Sequence, residues 1–214
     1  MPSEQINCAV KLAGYLVVFI CSAVAVGKLG EVKKELENSG CANWNDGYTP
    51  CPLTISFDSL GSQCSTDGET APCDWVFCIG SLSAVLAFGL AVYHGLWFVD
   101  RQPEVAHFGV TEAITAGMMA FLLMSAGAVT TDKFKQVCDS IPDAPTCGTE
   151  CEAKLDCIAQ VLDGFDEFYN RLSATEGTLW TVTVLWLALA AYTYLFTLSA
   201  AGGAKDKGDK AYGV

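Results

Sequence analysis

Three ionisable residues stand where ionisable residues are costly. Lys11, His94 and Glu112 each fall inside a run of apolar residues. A charged side chain in hydrocarbon is retained when it is paired or when it lines a functional path. An amine, an imidazole and a carboxylate can do either. They can neutralise one another in a polar clasp that fixes helix register, or they can pass protons. A relay needs polar groups through the whole membrane, and apart from Lys28 at the edge of the first run the far halves offer only Ser, Thr and Cys. The clasp is therefore the reading adopted, with Glu112 bonded to His94 or paired with Lys11.

The eleven cysteines are the second reactive set. Cys41, Cys51, Cys64 and Cys73 lie in one polar stretch, and Cys138, Cys147, Cys151 and Cys157 in another. An even number in each stretch reads as disulfides in an oxidising compartment. Zinc competes for thiolates, but no C-x2-C pair occurs. Four cysteines allow three connectivities, and spacing does not choose among them; bonds within each stretch are the expectation. Cys8, Cys21 and Cys78 fall in or beside apolar runs and are expected as free thiols. Glu150, Glu152 and Asp156 lack the D-x-D-x-D-G spacing of a calcium loop. With two histidines, and without G-x-S-x-G, a P-loop or H-E-x-x-H, no catalytic residue, metal or cofactor is expected.

The elements that must position these groups are four apolar runs, at residues 8–29, 75–99, 107–131 and 178–200. Each is roughly 22–25 residues, or ~33–37 Å of helix, enough to cross a ~30 Å hydrocarbon core. His94 and Glu112 flank the short 100–106 turn, each ~8–9 Å into the membrane by helix rise. The sequence thus predicts an all-α membrane protein: a four-transmembrane-helix bundle over residues 1–200 with a short tail, 201–214. A composition 51% hydrophobic, with mean hydropathy +0.34, agrees.

Charge sets the orientation. Lys11, Arg101, Lys205, Lys207 and Lys210 crowd the short segments, and short basic segments stay cytosolic. Both termini and the 100–106 turn are expected in the cytosol, and both long loops in the lumen or cell exterior. Those loops hold 18 of the 24 acidic residues, which excludes a nucleic-acid partner. The stretch Leu12–Ile20 followed by Ala23-Val24-Ala25 has signal-peptide character. The apolar run continues to Leu29, however, and is read as a span.

The loops should form a disulfide-stapled cap containing a small β element and an amphipathic helix. Residues 30–37 extend the first helix beyond the membrane. Residues 53–58 alternate as a half-buried strand bracketed by Pro50 and Pro52. From Leu155 to Leu172, apolar residues recur at spacings of three and four, as in an amphipathic helix. Trp75, Trp97 and Trp180 mark the membrane interfaces. Gly80/Ala84, Ala87/Ala91/Gly95, Ala113/Gly117 and Ala116/Ala120 are expected as faces of close helix packing.

Known four-span families differ in their loops. Connexins carry a long cytosolic loop between spans two and three. Claudins carry a W-G-L-W-C-C-type first loop and tetraspanins a C-C-G, both absent here. Phe19-Ile20-Cys21-Ser22, Gly30-Glu31, Cys41-Ala42-Asn43, Ala71-Pro72-Cys73 and the run Glu112 to Phe121 instead resemble the MARVEL-domain proteins, most closely the synaptophysin/synaptogyrin group. The long Tyr/Gly-rich tail of that group is missing.

The resemblance implies a non-enzymatic membrane organiser of vesicles or the secretory pathway, with Glu112 in a structural role. Its partners would be membrane lipids, sterol among them, and other membrane proteins, with room for a homo-oligomer. A channel, transporter or accessory subunit of a larger complex is the alternative, and a junctional adhesion protein a third class.

Overall fold

The computed structural model describes residues 2–38, 51–57, 64–66, 70–100, 106–141, 151, 153–154 and 168–211. Its frame is four long helices: α1 (Pro2–Asn38), α2 (Ala71–Asp100), α3 (Ala106–Ser140) and α4 (Phe168–Ala211). The stretches apolar enough to span a membrane are Gln5–Lys34, Ala71–Val99, Phe108–Ser140 and Phe168–Thr197. These outrun the expected spans because hydropathy reports where lipid begins, not where a helix ends. Only 28–39% of each stretch is buried within the bundle. The rest presents side chains such as Val85, Ile114, Phe121 and Val184, each more than half exposed, on apolar faces suited to a membrane interior.

The buried positions explain the packing. In α1 they step through Lys11, Tyr15, Val18, Ser22, Ala25 and Leu29; in α4 through Leu172, Thr175, Leu179, Val182, Trp186 and Leu189. Spacings alternate between four and three, an average period of about 3.5 that keeps one stripe facing inward. Helix α1 packs against α2 and α4, and α4 against α3. Helices α2 and α3, although neighbours in the chain, share the thinnest seam.

Glycine lets backbones approach at specific places. A Cβ on Gly80 would come within 2.7 Å of Val26 Cγ2, and one on Gly14 within 2.7 Å of Leu189 Cδ2. Ala87, Ala91, Ala116 and Ala120 are buried. Gly117 is a correction to the expected small-residue faces, for a Cβ there would meet nothing within 4 Å.

The loop end of the bundle is closed by a short segment between α1 and α2. Pro52–Thr54 form a 3-10 turn, with Thr54 donating from both N and Oγ1 to the Cys51 carbonyl. Strand β1 (Ile55–Phe57) then pairs antiparallel with β2 (Cys64–Thr66), in register Ile55↔Thr66, Ser56↔Ser65 and Phe57↔Cys64. Leu53 and Thr54 therefore belong to a turn and not to the expected strand, since Pro52 at the start of the segment favours helical φ. The ladder is a single run of three pairs, too short to carry the cap alone. What holds it is burial: Leu53 and Ile55 join Val32, Val137, Ile141 and Phe168 in one apolar core.

Most of the expected amphipathic helix, residues 155–167, lies outside the described residues. Phe168, Tyr169 and Leu172 form the first turns of α4, continuous with the last span and not a separate element.

Among the described residues two disulfides staple the cap, Cys51–Cys73 and Cys138–Cys151, each closing within its own loop region. Cys8, Cys21 and Cys78 are not disulfide-bonded. Cys41, Cys147, Cys157 and the side chain of Cys64 lie outside the described residues.

Candidate functional site

Near the end of α2 and the start of α3, three helices come together over one carboxylate. Lys11 and Tyr15 stand one turn apart on the inward stripe of α1, His94 sits near the end of α2, and Glu112 near the start of α3. All four are buried, at 2% exposure or less. Lys11 Nζ donates to Glu112 Oε2 at 2.8 Å, and Tyr15 Oη donates to Oε1 at 2.7 Å. His94 Nε2 lies 2.9 Å from the same Oε1. A carboxylate only accepts hydrogen bonds, so His94 must carry its proton on Nε2. The amine and carboxylate cancel each other's charge, and each Glu112 oxygen is occupied, which is what a buried ion pair requires.

Aromatic rings wall the cluster. The Tyr15 ring stacks on His94 with centroids 5.7 Å apart and an interplanar angle of 6°, while Tyr93 meets His94 edge-on at 5.2 Å. Phe108 of α3 packs against Tyr93 of α2 at 4.3 Å. Cys8 Sγ donates to the His94 carbonyl at 3.1 Å.

A second polar layer lies deeper along the same stripes. Trp186 Nε1 of α4 donates to Ser83 Oγ at 2.9 Å, and Ser83 Oγ lies 2.9 Å from Ser22 Oγ. The first layer ties α1, α2 and α3; the second ties α1, α2 and α4. Between them lie the bodies of Tyr15 and Trp186, 5.7 Å apart and both fully buried. Two other buried hydroxyls are satisfied locally, Thr130 by the Ala126 carbonyl and Thr183 by that of Leu179.

The structure thus brings together the three ionisable residues singled out in the sequence and adds four others: Tyr15, Ser22, Ser83 and Trp186. Tyr15 was findable, because one turn from Lys11 places it on the same helix face. Ser83 precedes His94 by about three turns, again on one face. Trp186 carried no such signal, since its neighbours Leu185 and Leu187 are equally apolar.

At the opposite end, two half-exposed tryptophans bind α3. Trp75 Nε1 donates to Ser125 Oγ and Trp180 Nε1 to Thr131 Oγ1, both at 3.3 Å. Thr131 in turn donates to Glu176 at 2.6 Å. Among the described residues no group of three or more His, Cys, Asp or Glu is arranged to hold a metal ion.

This framework of helices, clasp and staples falls within a single match. Residues 8–201 match the family model described as the transmembrane protein 179/179B claudin domain. The chain belongs to that family. The match covers all four spans and both disulfides, so a claudin-type domain does not depend on the W-G-L-W-C-C first-loop motif. Setting claudins aside on that ground is corrected here. The synaptophysin-like resemblance is not what the comparison returned; the four-span architecture is common to both. No curated protein and no solved structure matches the chain.

Proposed function

We propose that this claudin-domain protein is a non-catalytic membrane scaffold that organises lipids and protein partners through its outward helix faces and its stapled cap. The observation that carries this reading is the closed interior. Lys11 and Glu112 neutralise each other, and the fully buried rings of Tyr15 and Trp186 fill the space above them. A core of this kind stabilises a fixed shape, and the surfaces left for recognition are the lipid-facing ones and the cap.

The vesicle and secretory-pathway role implied by the synaptophysin-like resemblance is part of the proposal. So is an orientation with both termini in the cytosol, supported by the basic residues of the short segments.

One observation favours the alternative of a conducting protein: the Ser22–Ser83–Trp186 layer continues the line of polar groups begun by Glu112. Against a proton path stands the chemistry of indole. Trp186 Nε1 is a donor only, and its hydrogen is committed to Ser83. The test is reconstitution of the purified chain into liposomes loaded with pH- and ion-sensitive dyes, alongside proximity labelling from a tagged chain in cells. Dye signals matching empty liposomes, together with a reproducible set of labelled membrane neighbours, support the scaffold. Flux that depends on Glu112 would overturn it.

A further inference from the structure

The two staples sit in different surroundings. Cys51 and Cys73 are each 3% exposed, and they lie in the apolar core with Leu53, Ile55 and Val76. Cys138, in the last turn of α3, and Cys151 are both half-buried, with Cys151 packed against that core from outside it. Thiol–disulfide exchange needs a thiolate to reach a sulfur along the S–S axis, so access separates the two bonds.

The end of α3 does not rely on the bond, because Val137 and Ile141 on either side of Cys138 are buried in the core.

We propose that Cys138–Cys151 is a redox-labile link of the cap, opened by a small monothiol such as glutathione, while Cys51–Cys73 is the permanent staple. A glutathione thiolate attacks one sulfur, and the other leaves as a thiolate and takes a proton. A second glutathione resolves the mixed disulfide. The balance is two thiols oxidised to one glutathione disulfide and one protein disulfide reduced to two thiols. Opening frees Cys151 from the end of α3 and leaves the four-helix frame intact.

The test uses the full chain in lipid nanodiscs exposed to graded reduced glutathione. Free thiols are trapped with N-ethylmaleimide, the protein is then fully reduced, and the remaining cysteines are marked with the heavy reagent for mass analysis. Cys138 and Cys151 are expected to become trapped at least tenfold faster than Cys51 and Cys73. Equal rates, the reverse order, or no trapping of Cys138 and Cys151 would overturn the proposal. So would finding Cys138 bonded to Cys147 or Cys157 in untreated protein. A second arm compares paired serine variants. Cys138→Ser/Cys151→Ser should lower the unfolding midpoint less than half as far as Cys51→Ser/Cys73→Ser. A larger or equal loss, including failure to fold, makes the link a structural staple and sinks the idea.

Discussion

Replacing Glu112 by leucine takes the acceptor from three donors at once. Lys11 Nζ, Tyr15 Oη and His94 Nε2 would all remain buried, and Leu would refill most of the volume, so the cost is polar and not a cavity. In membrane proteins a single interhelical hydrogen bond averages about 0.6 kcal/mol and reaches about 1.7. Three of them give about 2–5 kcal/mol. Breaking a buried ion pair by removing one partner costs about 3–5 kcal/mol by itself. These terms overlap in Lys11, so the expected loss for Glu112→Leu is about 3–5 kcal/mol.

Glu112→Gln keeps one acceptor oxygen but turns an amide donor or a neutral oxygen toward Lys11, for about 2–3 kcal/mol. Adding Lys11→Met to Glu112→Gln removes both formal charges. Uncharged replacements of a buried pair are often neutral, so the double variant should recover to within about 1–2 kcal/mol of the parent. The measurement is unfolding by SDS titration in mixed micelles, followed by tryptophan fluorescence; Trp186 lies in van der Waals range of the Tyr15 side of the clasp. The reasoning fails if Glu112→Leu stays within about 1 kcal/mol of the parent, or if the two single substitutions simply add. If Glu112→Leu and Glu112→Gln both fold normally and abolish an ion flux, the clasp gives way to a transport site.

Peptide mapping without reduction should recover Cys51 linked to Cys73 and Cys138 linked to Cys151. With bonds confined to each loop, Cys41 would then pair with Cys64 and Cys147 with Cys157; free thiols at those four positions would refute that assignment. Gly80→Ala should destabilise the bundle by about 1–3 kcal/mol, because Val26 is a stiff side chain pressed against the site. Gly117→Ala, facing open space, should be neutral or gain up to about 1 kcal/mol from helix propensity; the same micelle titration distinguishes them. Ser83→Ala should cost about 1–2 kcal/mol by leaving the Trp186 N–H and the Ser22 hydroxyl without their shared partner, and a red-shifted Trp186 emission would report water entering.

Residue types and periods made the four apolar helices, the cysteines outside the disulfides and the common level of Lys11, His94 and Glu112 legible in the sequence. Hydropathy over two dozen residues is a strong signal, and two helices joined by a short turn must place residues equidistant from it at one level. Connectivity of the cysteines was not legible, because three pairings satisfy the same count. Nor was the start of β1: alternation from Leu53 onward looks like a strand, whereas the ring of Pro52 and the Cys51 carbonyl set a turn first. Small-residue spacing overstated Gly117, since a glycine on a helix says nothing of which neighbour lies opposite. The family was missed for a related reason. A short motif was weighed as if it defined the claudin domain, while the match rests on the chain from residue 8 to residue 201.

The distance along the chain between the two charges of the clasp has a consequence for biosynthesis. Lys11 and Glu112 are separated by 101 residues. At synthesis rates of about 5–20 residues per second, Lys11 leaves the ribosome roughly 5–20 s before its counter-ion exists. Throughout that interval α1 carries an unneutralised amine near the end of its span. A long aliphatic stem lets such an amine reach back to the headgroups. The Lys11–Glu112 pair can therefore form only after α3 has been made, which makes the clasp a late step in the assembly of the bundle.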